Sequence, residues 1–347
     1  MKHRSLLWII MLMSILASCS TDVELYADYK DVAVIYGMLN PRSDTNIIKI
    51  TRAFCGSNDN PINASEVALI SDSSNYPGKL DARLVEFKST HGGPFQPTDR
   101  VLLLDTMTIH HKEEGTFYSP DQLLYYTPEQ IKAGKDGEKY RYRLIVVKPD
   151  GDTVTAITTT VGNEELCIVT GGMGFQLHPT NGLGRILFIA DGVATLYEVK
   201  IQFNYREQLN GQAMKHKSVS RSFGTKTLME YQILSENSYF VEYSPNWLFN
   251  TLRQAIGGDT IVDINHPNVV RYIDDFVISI SAGGEELNMY YLLHQAQNAS
   301  PISPDFTNID GGCGLFSSRT TIEKVARLSS TCKRDLFSVT SWGFKEQ

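Results

Sequence analysis

The amino-acid sequence predicts a mainly β protein: an N-terminal immunoglobulin-like β-sandwich, then a second β-rich sandwich domain with two short helices. Three observations carry this. Short stretches rich in β-branched and aromatic residues alternate apolar and polar side chains, with turn residues between them at modest spacing. One hairpin is written out in full, with alternating arms at 140–147 and 153–161 around Pro149-Asp150-Gly151. Helical periodicity is confined to two stretches late in the chain.

The chain opens with Lys2, His3 and Arg4, an apolar run from Leu6 to Leu16, and small residues before a cysteine. This is the pattern of a secretory signal, and the run is short for a membrane span. Leu16-Ala17-Ser18-Cys19 resembles a bacterial lipobox. That resemblance implies cleavage between Ser18 and Cys19, diacylglycerol on the Cys19 sulfur, and acylation (palmitate) of the new amino terminus. Residues 1–18 then leave as a signal peptide, and the polar, acidic stretch 19–30 becomes a tether between lipid and body.

Beyond the tether, 31–40 reads as a strand ending at Pro41, and 46–54 as its returning partner. Segment 63–70 reads as a short helix or an edge segment. Strands follow at 80–88 and 101–109, separated by a break at 91–97, and another apolar stretch at 123–126 precedes the hairpin. The first domain covers 31–161, and 162–165 is a hinge. The second domain, 166–347, opens with a strand at 166–170 and a glycine-punctuated stretch. Strands at 185–190 and 196–205 follow, the latter alternating Val199, Ile201, Phe203 and Tyr205 against polar residues. A helix is read over 245–256, with Ser244 as N-cap, Pro245 at the first helical position and Gly257 as stop. A strand at 272–281 leads to a second helix over 284–297, acidic in its first turn as the helix dipole favours. The chain closes with strands near 314–318, 320–328 and 336–341.

Composition narrows the function classes. Apolar residues make up 42% and charged residues 20% of the 347, an ordinary globular balance. The net charge is −7, and loss of Lys2 and Arg4 with the signal makes the mature chain two charges more negative. With no basic cluster, nucleic acid is excluded as a partner. Apart from Cys19 the cysteines are Cys55, Cys167, Cys313 and Cys332, and none has zinc-site spacing. In an exported chain Cys313 and Cys332 would close the shortest disulfide loop; isolated buried thiols are the other reading.

No catalytic, cofactor-binding or metal-ligating residue is nominated. His110-His111 and Asp274-Asp275 are adjacent pairs that diverge in an extended chain. There is no G-x-S-x-G, H-E-x-x-H or P-loop motif. Gly311-Gly312-Cys313-Gly314 lacks the helix and lysine of a phosphate cradle. Its glycines suit positive φ or close backbone approach at a sandwich edge. The sharper alternative is a recognition loop of Asn308, Gly311, Gly312, Gly314 and Phe316. Tyr118, Tyr125 and Tyr126 are candidates for stacking on a sugar or peptide, against the common role of strand aromatics as core.

Several motifs occur together and in order: Tyr36-Gly-Met-Leu-Asn40, Thr51-Arg-Ala-Phe54, Asp72 with Tyr76, Gly115-Thr-Phe-Tyr118, Tyr140-Arg-Tyr-Arg-Leu144, Ala282-Gly-Gly-Glu-Glu-Leu287, and residues 308–316. Through them the chain resembles a family of outer-membrane lipoproteins of unknown function, often encoded beside TonB-dependent transporters of starch-utilisation type. Cys313 stands where that family more usually has an apolar residue. The resemblance implies a β-sandwich lipoprotein of the outer membrane and supplies no catalytic residues. Asp22 and Glu24 are similar to the acidic signal that sends such lipoproteins to the cell surface. The expected function is an accessory of a nutrient transporter, by ligand binding or complex stabilisation. The alternatives are an adhesion or assembly component pairing through sheet edges and, last, a polysaccharide- or peptide-acting enzyme.

Overall fold

The computed structural model describes residues 31–53, 68–110, 113–115, 118, 121–170, 183–244, 246–257, 269–299, 306–339 and 342–346. Ser18, Cys19, the tether, Cys55 and the glycine-punctuated stretch at 171–182 lie outside them. Among the described residues no helix is long and apolar enough to cross a membrane.

The protein is mainly β and is built from sandwiched sheets. The first half contributes β1 (Ala33–Leu39), β2 (Asn46–Arg52), β3 (Asp81–Thr90), β4 (Gln96–Leu103), β5 (Asp105–Ile109), β6 (Gln122–Thr127), β7 (Glu138–Val147) and β8 (Thr153–Thr159). The second half continues with β9 (Cys167–Ile168), β10 (Gly184–Ile189), β11 (Leu196–Leu209), β12 (Lys215–Thr227), β13 (Gln232–Ser235) and β14 (Ser238–Tyr243). Helix α1 (Trp247–Gly257), β15 (Val269–Gly283) and α2 (Glu285–Ala299) come next. The chain ends with β16 (Ile309–Asp310), β17 (Gly312–Ala326), α3 (Ser330–Arg334) and β18 (Phe344–Lys345).

A nine-stranded sheet in the order β12-β11-β15-β17-β1-β2-β6-β5, with β18 beside β15, runs through both halves. A five-stranded sheet (β16-β8-β7-β3-β4) covers one end of it, and a four-stranded sheet (β13-β14-β10-β9) belongs to the other. Alternation explains the first core: Leu84, Tyr142, Leu144 and Val154 from the five-stranded sheet meet Ile35, Ile48 and Phe316 from the nine-stranded one. The second core gathers Val199, Ile201 and Phe203 of β11, Ile278 and Ile280 of β15, Phe188 of β10 and Leu252 of α1.

Strand β17 joins the two cores. Its first half pairs in parallel with β1, Ala33 opposite Gly312 through Leu39 opposite Ser318. Its second half pairs antiparallel with β15. Phe316 and Ile309 therefore pack in the first core, although they lie in the half of the sequence assigned to the second domain. At the crossover the buried polar groups are paired. The Ser318 hydroxyl donates to Leu39 O at 2.8 Å and accepts from Val161 N–H at 3.1 Å. Asp191, 2% exposed, accepts from Gly162 N–H (2.6 Å), Ala194 N–H (2.6 Å) and the Tyr197 hydroxyl (3.1 Å). Helix α2 packs on β17, and its Glu286 accepts from Thr158 of β8 (2.8 Å) and Ser317 of β17 (2.9 Å).

Four departures from the sequence reading have local causes. Segment 101–109 is two strands, because the chain changes sheets at Leu104, whose N–H donates to Ala82 O at 2.9 Å while its side chain is buried. The two strands expected within 314–328 are one. The strand expected at 336–341 is instead a π-helical turn, Asp335–Val339, continuing from α3. The Ser329 hydroxyl caps α3 by accepting from Cys332 N–H, and the helical path carries Leu336 into the core beside Cys332. Finally, Cys313 and Cys332 are not joined in a disulfide. Cys313 lies opposite Val34 in the parallel pair, whereas Cys332 is sealed in the second core.

Candidate functional site

Strand parity sets the site. In β1, Ala33, Ile35 and Leu39 point into the core, which turns Val34 and Tyr36 outward, and Tyr36 is 49% exposed. Their register partners on β2 are Thr51 and Lys49. Next along β1, Gly37 faces inward, where a Cβ would meet the Phe316 ring at 2.9 Å. Beyond the end of β2 the helical turn Ser71–Ser74 closes over the sheet, held by Arg52, whose Nε donates to Ser73 O at 3.3 Å. The same guanidinium lies 6.0 Å from the Tyr76 ring centroid, and the Tyr76 hydroxyl bonds Asp31 at 3.1 Å. Tyr118, with its N–H on Ala68 O (2.9 Å), brings a third stretch of chain to the same place.

The result is a cleft of about 400 Å³ on the outer face of the first sandwich, lined by Tyr36, Lys49, Arg52, Asn75, Tyr118 and Asp121 among others. Two aromatic rings, two cations, an amide and a carboxylate converge there. A cleft of this size and mixed character suits a small polar ligand held by stacking and directed hydrogen bonds. At its margin His110 Nδ1 lies 3.0 Å from Asp121 Oδ1.

The tyrosines nominated from sequence separate. Tyr118 lines the cleft. Tyr125 is core, with its hydroxyl accepting from Leu80 N–H at 2.9 Å, and burial pushes its phenol up. Tyr126 sits on β6 outside the cleft lining. Tyr36 and Lys49 were not nominated for a site, although the in–out alternation of β1 and β2 carried the signal.

The proposed recognition loop is a structural joint. Phe316 is fully buried, and the Asn308 amide clamps its backbone, donating to Phe316 O at 2.6 Å and accepting from Phe316 N–H at 2.9 Å. Gly311 (φ +77°) and Gly314 (φ +118°) adopt the conformation that favours glycine, and a Cβ on Gly312 would lie 2.7 Å from Ala33 O. These residues let β17 lie against β1, with the Phe316 ring buried and the half-buried Asn308 amide spent on the Phe316 backbone.

The other polar clusters are also committed. Asp274 pairs with Arg206 at 2.5 Å and Asp275 with Asn204 at 2.5 Å, so these neighbours diverge to separate partners. Glu86, almost fully buried, accepts from the Tyr142 hydroxyl (2.7 Å) and Arg100 (3.0 Å), with Lys132 at 3.3 Å. Burial pushes its carboxyl up, but the hydrogen bonds from Tyr142 and Arg100 and the Lys132 charge outweigh this, leaving it below the ordinary range. Among the described residues no group of three or more His, Cys, Asp or Glu could hold a metal ion. No protein-family model matches the chain, and no curated protein matches it.

Proposed function

We propose that the protein is a lipid-anchored outer-membrane protein that assists a TonB-dependent nutrient transporter and holds a small polar ligand in the cleft beside Tyr36 and Tyr118. One observation carries this reading. The motifs beginning at Tyr36, Thr51 and Gly115, through which the chain resembles transporter-associated lipoproteins, converge on one cleft, the first two from the paired strands β1 and β2 and the third from a distant stretch of chain. The segment around Asp72 and Tyr76 supplies its rim through Ser74 and Asn75. The lipobox-like tetrad ending at Cys19 supports the anchor. No reaction is assigned, and the protein acts by binding.

Mild detergent extraction of native membranes tests the proposal: a TonB-dependent transporter should co-purify with the protein. Tyr36→Ala should leave that complex intact while lowering nutrient uptake. Absence of any retained transporter would sink the accessory role.

A second reading, assembly through sheet edges, is favoured by β13. This short edge strand exposes Ile233 (69%) and Leu234 (55%), with Met229 (92%) just before it. Oligomers in native membranes that disperse on Ile233→Lys, with no transporter retained, would support it over the first.

A further inference from the structure

The outer face of the five-stranded sheet carries two arginines that no carboxylate among the described residues neutralises. Arg141 and Arg143 alternate with the core residues Tyr140, Tyr142 and Leu144 on β7, so both point away from the core, about 7 Å apart along the strand. Each guanidinium lies against a phenyl ring, Arg141 3.9 Å from the Phe95 centroid and Arg143 5.2 Å from that of Phe87. Arg141 Nε donates to Thr159 Oγ1 at 3.1 Å. Neither arginine has a carboxylate partner among the described residues, whereas neighbouring Arg83 is held by Asp81 at 2.6 Å. Asp99, on the bulged part of β4, is exposed and pairs with neither.

Around the pair the surface is aliphatic. Val101, Val85, Arg143 and Ile157 form one register row across four strands. Leu103, one pleat along β4, is 70% exposed. A guanidinium stacked on a ring keeps its N–H edge outward and loses little freedom on gripping a carboxylate. Arginine and aromatic residues flanked by aliphatic side chains are the composition of a protein-binding patch. A sugar platform needs open ring faces, and here those of Phe87 and Phe95 are covered by the guanidiniums.

We propose that this face docks an acidic segment of a partner protein, with Arg141 and Arg143 receiving carboxylates and Val101, Leu103 and Ile157 receiving aliphatic side chains. The surface belongs to the sheet opposite the one that bears the cleft, and it does not depend on the cleft binding a ligand.

The test uses the purified full-length mature protein in detergent and a synthetic peptide of alternating Glu and Leu. Binding should weaken as salt rises. The double variant Arg141→Glu/Arg143→Glu should bind at least ten-fold more weakly, and Arg141→Lys/Arg143→Lys, which keeps charge but not the planar stack, should bind several-fold more weakly. Val101→Asp/Leu103→Asp should weaken binding as well. A control charge reversal on edge strand β12, Lys215→Glu/Arg221→Glu, should change binding less than two-fold. Melting curves for each variant report folding, and the lysine pair keeps the test decisive if the glutamate pair does not fold. Three results would overturn the proposal: no peptide binding, equal loss in the β12 control, or polygalacturonate binding as tightly through the same two arginines. Self-association abolished by Arg141→Glu/Arg143→Glu would also overturn it, by making the occupant a second copy of this chain.

Discussion

Arg271 and Glu207 face each other across β11 and β15, and the guanidinium grips one carboxylate oxygen twice, Nε at 2.7 Å and Nη2 at 2.6 Å. Arg271 is 1% exposed and its third arm donates to Trp342 O, while Lys217 takes the other Glu207 oxygen at 2.7 Å. The cluster therefore ties the last residues of the chain to the second sandwich. Arg271→Met leaves a buried carboxylate short of a partner and should cost about 3–5 kcal/mol. The double variant Arg271→Met/Glu207→Met should recover a large part of that loss. Urea unfolding midpoints check both, and a double variant no more stable than the single would refute the pairing.

Glu286 and Glu86 should give stability pH dependences of opposite sign. Burial pushes the Glu286 carboxyl above its ordinary value of 4.5, and the hydrogen bonds from Thr158 and Ser317 offset this only in part. The folded state then holds a proton that the unfolded chain has released, so this contribution is full below pH 4.5 and is lost as pH rises through the folded value. Glu86 is depressed, so its contribution is present above 4.5 and is lost as pH falls through its folded value. Glu286→Gln should raise the melting temperature at pH 7 and above. Glu86→Gln should lower it there and flatten the acid limb. Melting curves from pH 3 to 8 read both.

The joint between β1 and β17 should tolerate no side chain at Gly314. An added Cβ would sit 2.0 Å from Ile35 O on a backbone at φ +118°. Gly314→Ala should abolish folding or lower stability by more than about 3 kcal/mol, because either strand must move. Asn308→Ala removes two backbone hydrogen bonds from a part-buried site and should cost about 2–3 kcal/mol. Ligand retention by whatever Asn308→Ala protein remains folded should be unchanged, which separates a structural joint from a recognition loop.

Thiol accessibility should follow burial. Cys167 is exposed, Cys332 is fully buried, and burial pushes the Cys313 thiol up, away from the reactive thiolate. Alkylation of the folded protein with peptide mapping should label Cys167 first and reach Cys313 and Cys332 only on unfolding. A Cys313–Cys332 disulfide-linked peptide under non-reducing conditions would contradict their separation in the structure.

Cys19→Ser should release the protein from the membrane fraction or hold it in precursor form without lowering its melting temperature. Unchanged lipid labelling and membrane retention would refute the lipid attachment.

Legibility in the sequence followed burial. The 140–159 hairpin and β11 are plain because each has one core face and one wet face, and burial forces that alternation on the residues. Strand β12 is not, because on this edge strand Lys215, Lys217 and Arg221 share the face of Val219, the only buried residue among its described positions, and so leave no apolar period. Nor can a linear reading show that one strand serves two cores: 314–318 and 320–328 look separate because the polar run Ser317-Ser318-Arg319-Thr320 interrupts the apolar pattern, although Phe316, Ile322 and Ala326 keep one parity across it. The cleft is legible only in part. Parity turns Tyr36 outward, but nothing local brings Tyr118 to it.

The parallel pairing of β1 with β17 also decides how the protein answers mechanical tension. A pull on the chain from its N-terminal side enters at Ala33 and runs along β1, so its seven register partners on β17 must slide together instead of opening one at a time. The force then passes along one unbroken backbone into the second sandwich, past the crossover at Ser318. A protein held at its amino terminus while its body is tugged by a partner would yield last at this joint.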